Sequence, residues 1–169
     1  MKAGFQTNLE VSLKPDSDGI WIIHSPLKYW SKILNCLIVI PYWFESQEPN
    51  DEVSFFETDF ASVPRVPIIY EMWGNKCHRE AVLHDYLFRI DSRPVVGFFR
   101  TNCVFLEAMW SRLTEGPGVD IANTETILIS SFDLMKRMAR AYIIAVPMFL
   151  AVCLCGWTSY HKLHVKDKL

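Results

Sequence analysis

ETDFASVPRVPIIYEMWGNKCHREAVLHDYLF, residues Glu57 to Phe88, decides how this chain folds. It opens on a turn around Asp59, is fragmented by Pro64 and Pro67, and passes through Gly74-Asn75 into a run with helical periodicity. From Cys77 to about Ile90, the residues Cys77, Ala81, His84 and Phe88 recur at i, i+4, i+7 and i+11 and share one stripe. His78, Val82, Asp85 and Arg89 form the neighbouring stripe. His84 and Asp85 are thus consecutive on one helix and point about 100° apart.

Working outward, Asp91-Ser92-Arg93-Pro94 ends that helix, and the pattern predicts a second from about Arg100 to Leu113. Its apolar face is Phe105, Leu106, Met109 and Leu113, with Asn102 on the same face. An antiparallel hairpin of the two helices would set Asn102 opposite His84. Thr114 to Thr124, containing Gly116, Pro117 and Gly118, reads as a linker, and a third helical region begins near Glu125.

On the other side, Leu9, Val11 and Leu13 alternate with polar neighbours up to the turn Pro15-Asp16-Ser17-Asp18-Gly19, and Ile20 to His24 reads as the returning strand of a hairpin. Ile33 to Ile40 predicts a buried strand stopped by Pro41. Glu45 to Ser54 is acidic and polar, a solvent loop or an acidic binding arm. The expected fold class is α+β: N-terminal antiparallel strands, an antiparallel helix pair and a C-terminal apolar helix. The organisation that follows is an α+β domain over 1–113, a linker over 114–124 and an apolar helical segment over 125–169.

Half of the 169 residues are hydrophobic and 14% aromatic, which excludes a chain disordered throughout. A net charge of −2 without a dense basic cluster argues against a nucleic-acid protein. Five cysteines, an odd number without a C-x-x-C pair, read as reduced buried thiols. Lys2 is followed by no apolar run, so the N-terminus lacks the layout of a secretory signal.

No charged residue occurs between Arg140 and His161. Residues 141–160 match the roughly 20 positions needed to cross a bilayer, with Lys136, Arg137 and Arg140 before them and Lys162, Lys166 and Lys168 after. Pro147 is tolerable in a membrane helix and awkward in a soluble one. A span of an inner membrane and a buried core helix both fit.

TDFASVPR (Thr58 to Arg65), HREAVLHDYLF (His78 to Phe88), FLEAM (Phe105 to Met109), LKYWS (Leu27 to Ser31) and IPYWF (Ile40 to Phe44) together resemble the phage and prophage family catalogued as domain of unknown function 1353. The resemblance implies a phage or prophage origin, a place in the host cytoplasm or the virion, and a small α+β domain. It implies no activity. The family usually has an acidic residue at the position of Asn102 and a tyrosine at that of Phe88.

His84-Asp85, the aromatic Phe88 at i+4 from His84, and Asn102 on the next helix are also similar to the active-site helices of secreted phospholipases A₂. That resemblance implies His84 as the base that activates water and Asp85 as a calcium ligand, with Asp59 supplying a second carboxylate or presenting loop carbonyls. Asn102 would orient His84 without offsetting its charge. Structural readings stand beside these: Asp59 capping a turn near Ser62, His84 as a core histidine bonded to Asn102, Asp85 paired with Arg89, and His78 at the surface. Two functions follow. One is a non-enzymatic virion component or host-interaction factor, partnered by a phage or host protein. The other is a calcium-dependent esterase or phospholipase acting on host membrane lipid.

Overall fold

The computed structural model describes residues 1–17, 19–44, 54–58, 77–89, 91–115, 131–156 and 160. Within them the chain is α+β, as expected. Strands β1 (Gly4–Phe5), β2 (Val11–Leu13), β3 (Trp21–Ile23), β4 (Leu27–Ser31), β5 (Cys36–Ile40), β6 (Trp43–Phe44), β7 (Ser54–Phe55) and β8 (Glu57–Thr58) precede helices α1 (His78–Phe88), α2 (Phe98–Glu115) and α3 (Ser131–Cys155). The strands form two three-stranded antiparallel sheets, ordered β1-β4-β5 and β2-β3-β8, and a β6-β7 ribbon.

The β2-β3 hairpin falls where the alternation puts it, with Val11 opposite Ile23 and Leu13 opposite Trp21. Its turn carries Asp16 at φ 59° and Gly19 at φ 91°, left-handed positions that short polar residues and glycine accept. The strand expected over Ile33 to Ile40 is shorter. Residues 32–35 make a tight turn, with Asn35 at φ 50°, and the strand begins at Cys36. It is half-buried rather than buried on both faces: Ile38 and Ile40 point inward with Leu27 and Tyr29 of β4, while Leu37 and Val39 are exposed. Ser54, placed in the solvent loop by its polarity, pairs in β7 with Phe44, and residues 45–53 lie outside the described residues.

One core gathers Ile23, Leu27, Tyr29, Ile38 and Ile40 from the sheets, Phe56, and Val82, Leu83, Tyr86 and Leu87 from α1. Each such aliphatic side chain contributes roughly 1.5–3 kcal/mol when buried. The α2 helix closes this core with Val104 and Ala108. It turns Phe105 and Met109 to the other side, where they meet Ile144, Ala145, Met148 and Val152 of α3. Hence α2 has the sheet layer and α1 on one side and α3 on the other.

The α2 helix departs a little from its expected bounds. At its N-terminal end α2 starts two residues before Arg100, and at the other it includes Thr114 and Glu115, the first two residues of the expected linker. Residues 116–130 lie outside the described residues. Pro147 sits inside α3, which continues through it. Phe132–Cys155 is long and apolar enough to cross a membrane, and 28% of its most apolar window is buried against the rest of the chain, so it is not a fully buried core helix. All five cysteines are free thiols, as expected of a reduced chain, but only Cys77 is buried and Cys155 is exposed.

Candidate functional site

The α1 helix is buried on nearly every side, because the sheet core takes Val82, Leu83, Tyr86 and Leu87 while α2 takes the stripe with His84. Its end is fixed by the Tyr86 hydroxyl, which accepts the backbone N–H of Arg93 at 2.9 Å across the turn into α2. That turn reverses the chain and makes the two helices antiparallel.

The reversal brings Asn102 to His84. Nε2 of His84 lies 2.8 Å from Oδ1 of Asn102, and both side chains are buried. With the amide oxygen accepting, Nε2 carries the proton and the lone pair sits on Nδ1. Aromatic rings enclose the imidazole: Phe88 at 4.1 Å and Phe105 at 4.8 Å between centroids. Phe88 in turn meets Phe98 and Tyr160, whose hydroxyl donates to the Val96 carbonyl at 3.3 Å. Burial pushes the imidazole down from its ordinary 6.5 to about 4, against the opposing pull of the Asn102 hydrogen bond. His84 is therefore neutral at pH 7 and a weak base.

Asp85, one residue on, is partly exposed and faces β8, where the Thr58 hydroxyl donates to its Oδ2 at 2.7 Å. Arg89, the expected i+4 partner of Asp85, makes a two-pronged contact to Asp91 instead, at 2.7 and 2.8 Å. Asp91 lies just past the helix end, where the guanidinium holds its carboxyl below the usual range. Asp59 follows Thr58 in the chain but lies outside the described residues, as does the turn it was expected to cap. His78 is half-buried rather than at the surface.

Sequence reading missed two side chains here. Thr58 had a signal, since it opens the TDFASVPR block. Glu80 had none: it looks like an ordinary surface acid in the first turn of a helix, yet it is 1% exposed. Its Oε1 lies 2.7 Å from Nε of Arg112 on α2, whose Nη2 also reaches the Cys77 sulfur at 3.2 Å. Burial raises the Glu80 carboxyl above its usual range, and the Arg112 charge opposes that shift. The α1–α2 contact thus has a neutral pair at one end and an ion pair at the other.

Among the described residues no three His, Cys, Asp or Glu side chains assemble into a metal site. Of the two expected calcium ligands, Asp85 is among the described residues and Asp59 is not.

The chain belongs to the family described as protein of unknown function (DUF1353), which matches residues 21–152. The match runs beyond the Leu27 to Met109 blocks and takes in most of α3, so the apolar helix is part of the family's domain. No curated protein and no solved structure matches the chain.

Proposed function

We propose that this chain is a non-enzymatic phage protein, a virion component or host-interaction factor, that meets its target at the host membrane through its apolar helix. One observation carries the reading: His84 is sealed between Phe88 and Phe105 with its Nε2 proton on an amide. A general base for water needs a partner that stabilises the imidazolium formed as the proton is taken. The Asn102 amide is neutral, and burial disfavours the charge. The pair serves instead as a polar pin that fixes the register of α1 on α2.

A second reading, a calcium-dependent ester hydrolase acting on host lipid, draws on Asp85. Its carboxylate is partly exposed, sits beside the histidine in the chain, and is oriented by Thr58 immediately before Asp59.

The two are separated by titrating the full chain and Asp85→Ala with calcium in a calorimeter, and by assaying fatty-acid release from phospholipid vesicles. The proposal expects no calcium-dependent release, and His84→Gln to lower stability only. Calcium-dependent release that disappears in a stably folded His84→Gln variant would overturn it in favour of the hydrolase.

A further inference from the structure

We propose that α3 lies flat on an anionic bilayer surface rather than crossing it, an inference that rests on the membrane part of the reading above and specifies its geometry and lipid class. Helical spacing divides α3 into two apolar faces. Ile144, Ala145, Met148 and Val152 cluster with Phe105 and Met109 of α2, and Ala141 is buried with them. Opposite them Phe132, Met135, Ile143, Leu150 and Leu154, spaced by three, four or sums of these, are 51–81% exposed. From Phe132 to Leu154 that strip extends about 33 Å along the helix.

Its basic side chains determine what would cover it. Lys136, Arg137 and Arg140 follow one another along the first half of α3 against the single acid Asp133, and Lys136 reaches back over the Phe132 ring at 4.2 Å. An apolar strip with a cationic flank is the arrangement that places a helix in the headgroup region, with its rings and aliphatic chains in the acyl boundary and its ammonium and guanidinium groups on lipid phosphates. Phe99 of α2, 66% exposed, packs edge-on against Phe149 and widens the apolar surface.

The other face of α3 argues against crossing. It is fastened to α2 from Trp110, which meets Tyr142 at 4.8 Å, to Phe99. Between those contacts α2 carries Glu107, which accepts the Ser31 hydroxyl at 2.8 Å and the Lys32 backbone N–H at 2.7 Å. Just beyond Trp110 lies Arg112, paired with Glu80. Inserting α3 across hydrocarbon with α2 attached would carry these charges and the sheet edge into lipid. Lying flat leaves every one of those contacts in place.

The test uses the full chain in flotation with phosphatidylglycerol/phosphatidylethanolamine vesicles and with phosphatidylcholine vesicles, followed by alkaline carbonate extraction. Expected are binding to the anionic vesicles, weakened by salt, and release by carbonate. Ile143→Glu with Leu150→Glu should lower partitioning at least about tenfold, and Lys136→Glu with Arg140→Glu about 30-fold. The charge variant alters exposed positions only and keeps the test decisive if the apolar variant folds poorly. Retention after carbonate overturns the flat placement and leaves a spanning helix, with the membrane reading intact. Absence of binding to either vesicle overturns both, and a dimer in solution that the apolar variant dissociates would give the strip to a second copy of the chain.

Discussion

The two ends of the α1–α2 contact hold polar side chains at similar depth, and different partners oppose what burial does to them. At one end His84 and Asn102 are neutral, and burial suppresses the histidine's charge. At the other, Glu80 is just as buried but faces a guanidinium that is 25% exposed and so keeps contact with water. The lesson is that burial disfavours charge at both ends. What differs is the opposition it meets: an amide hydrogen bond at His84, and at Glu80 a counter-charge with an outlet to solvent.

The largest expected effect follows from removing that counter-charge. Arg112→Ala leaves a buried carboxyl beside Cys77 and should cost about 3–5 kcal/mol in urea unfolding, whereas Glu80→Leu combined with Arg112→Met should regain most of it. A loss below about 1 kcal/mol for Arg112→Ala would mean that Glu80 is neutral without help, and the contrast between the ends would collapse.

The pH dependence of stability comes next, and its sign differs between the ends. An unfolded histidine takes up its proton below about 6.5, while folded His84 resists until about 4. Its stabilisation is complete above pH 6.5 and is lost as pH falls through that window, by about 3 kcal/mol in all. Glu80 runs the other way. Its folded carboxyl binds a proton more readily than the unfolded one, so acidification toward 4.5 adds stability. Unfolding measured at intervals from pH 7 to pH 4 should show a shallower acid loss in His84→Gln and a steeper one in Glu80→Gln. Parallel curves for all three proteins would break the assignment of both shifts.

A smaller effect sharpens the neutral end. Asn102→Leu leaves the His84 Nε2–H without its acceptor and should cost about 1–3 kcal/mol. Asn102→Asp supplies an acidic partner, and the His84 titration followed by NMR should rise from about 4, because a carboxylate stabilises the imidazolium. An unmoved midpoint would show that the enclosing rings, not the partner, set the histidine's basicity.

How much of this was readable from the chain can be traced residue by residue. The hairpin around Asp16 and Gly19, the stripe Cys77, Ala81, His84 and Phe88, and the meeting of Asn102 with His84 all follow from local periodicity and short turns, where neighbours in sequence decide geometry. Glu80 and the Ser31–Glu107 bond could not be read, because both depend on partners 32 and 76 residues away. The strand over Ile33 to Ile40 was overextended for a related reason: β-branched composition gives no hint that Asn35 closes a turn. Apolarity alone likewise left α3 undecided. Only its packing on α2 separates the buried Ile144 face from the exposed Ile143 face.

The smallest effect concerns Thr58, and it links the fold to the hydrolase reading. Its hydroxyl donates to Asp85 from a side chain that is 4% exposed, tying the end of β8 to the helix surface next to His84. Thr58→Val keeps the shape and removes the donor, which should cost about 1 kcal/mol, with Thr58→Ser retaining most of the stability. If Asp85 serves only to anchor β8, calcium will not alter the melting temperature of any of these proteins. If Asp85 binds the metal, calcium should raise the melting temperature of the wild type. The increment should change in Thr58→Val, because the carboxylate would lose the bond that aims it.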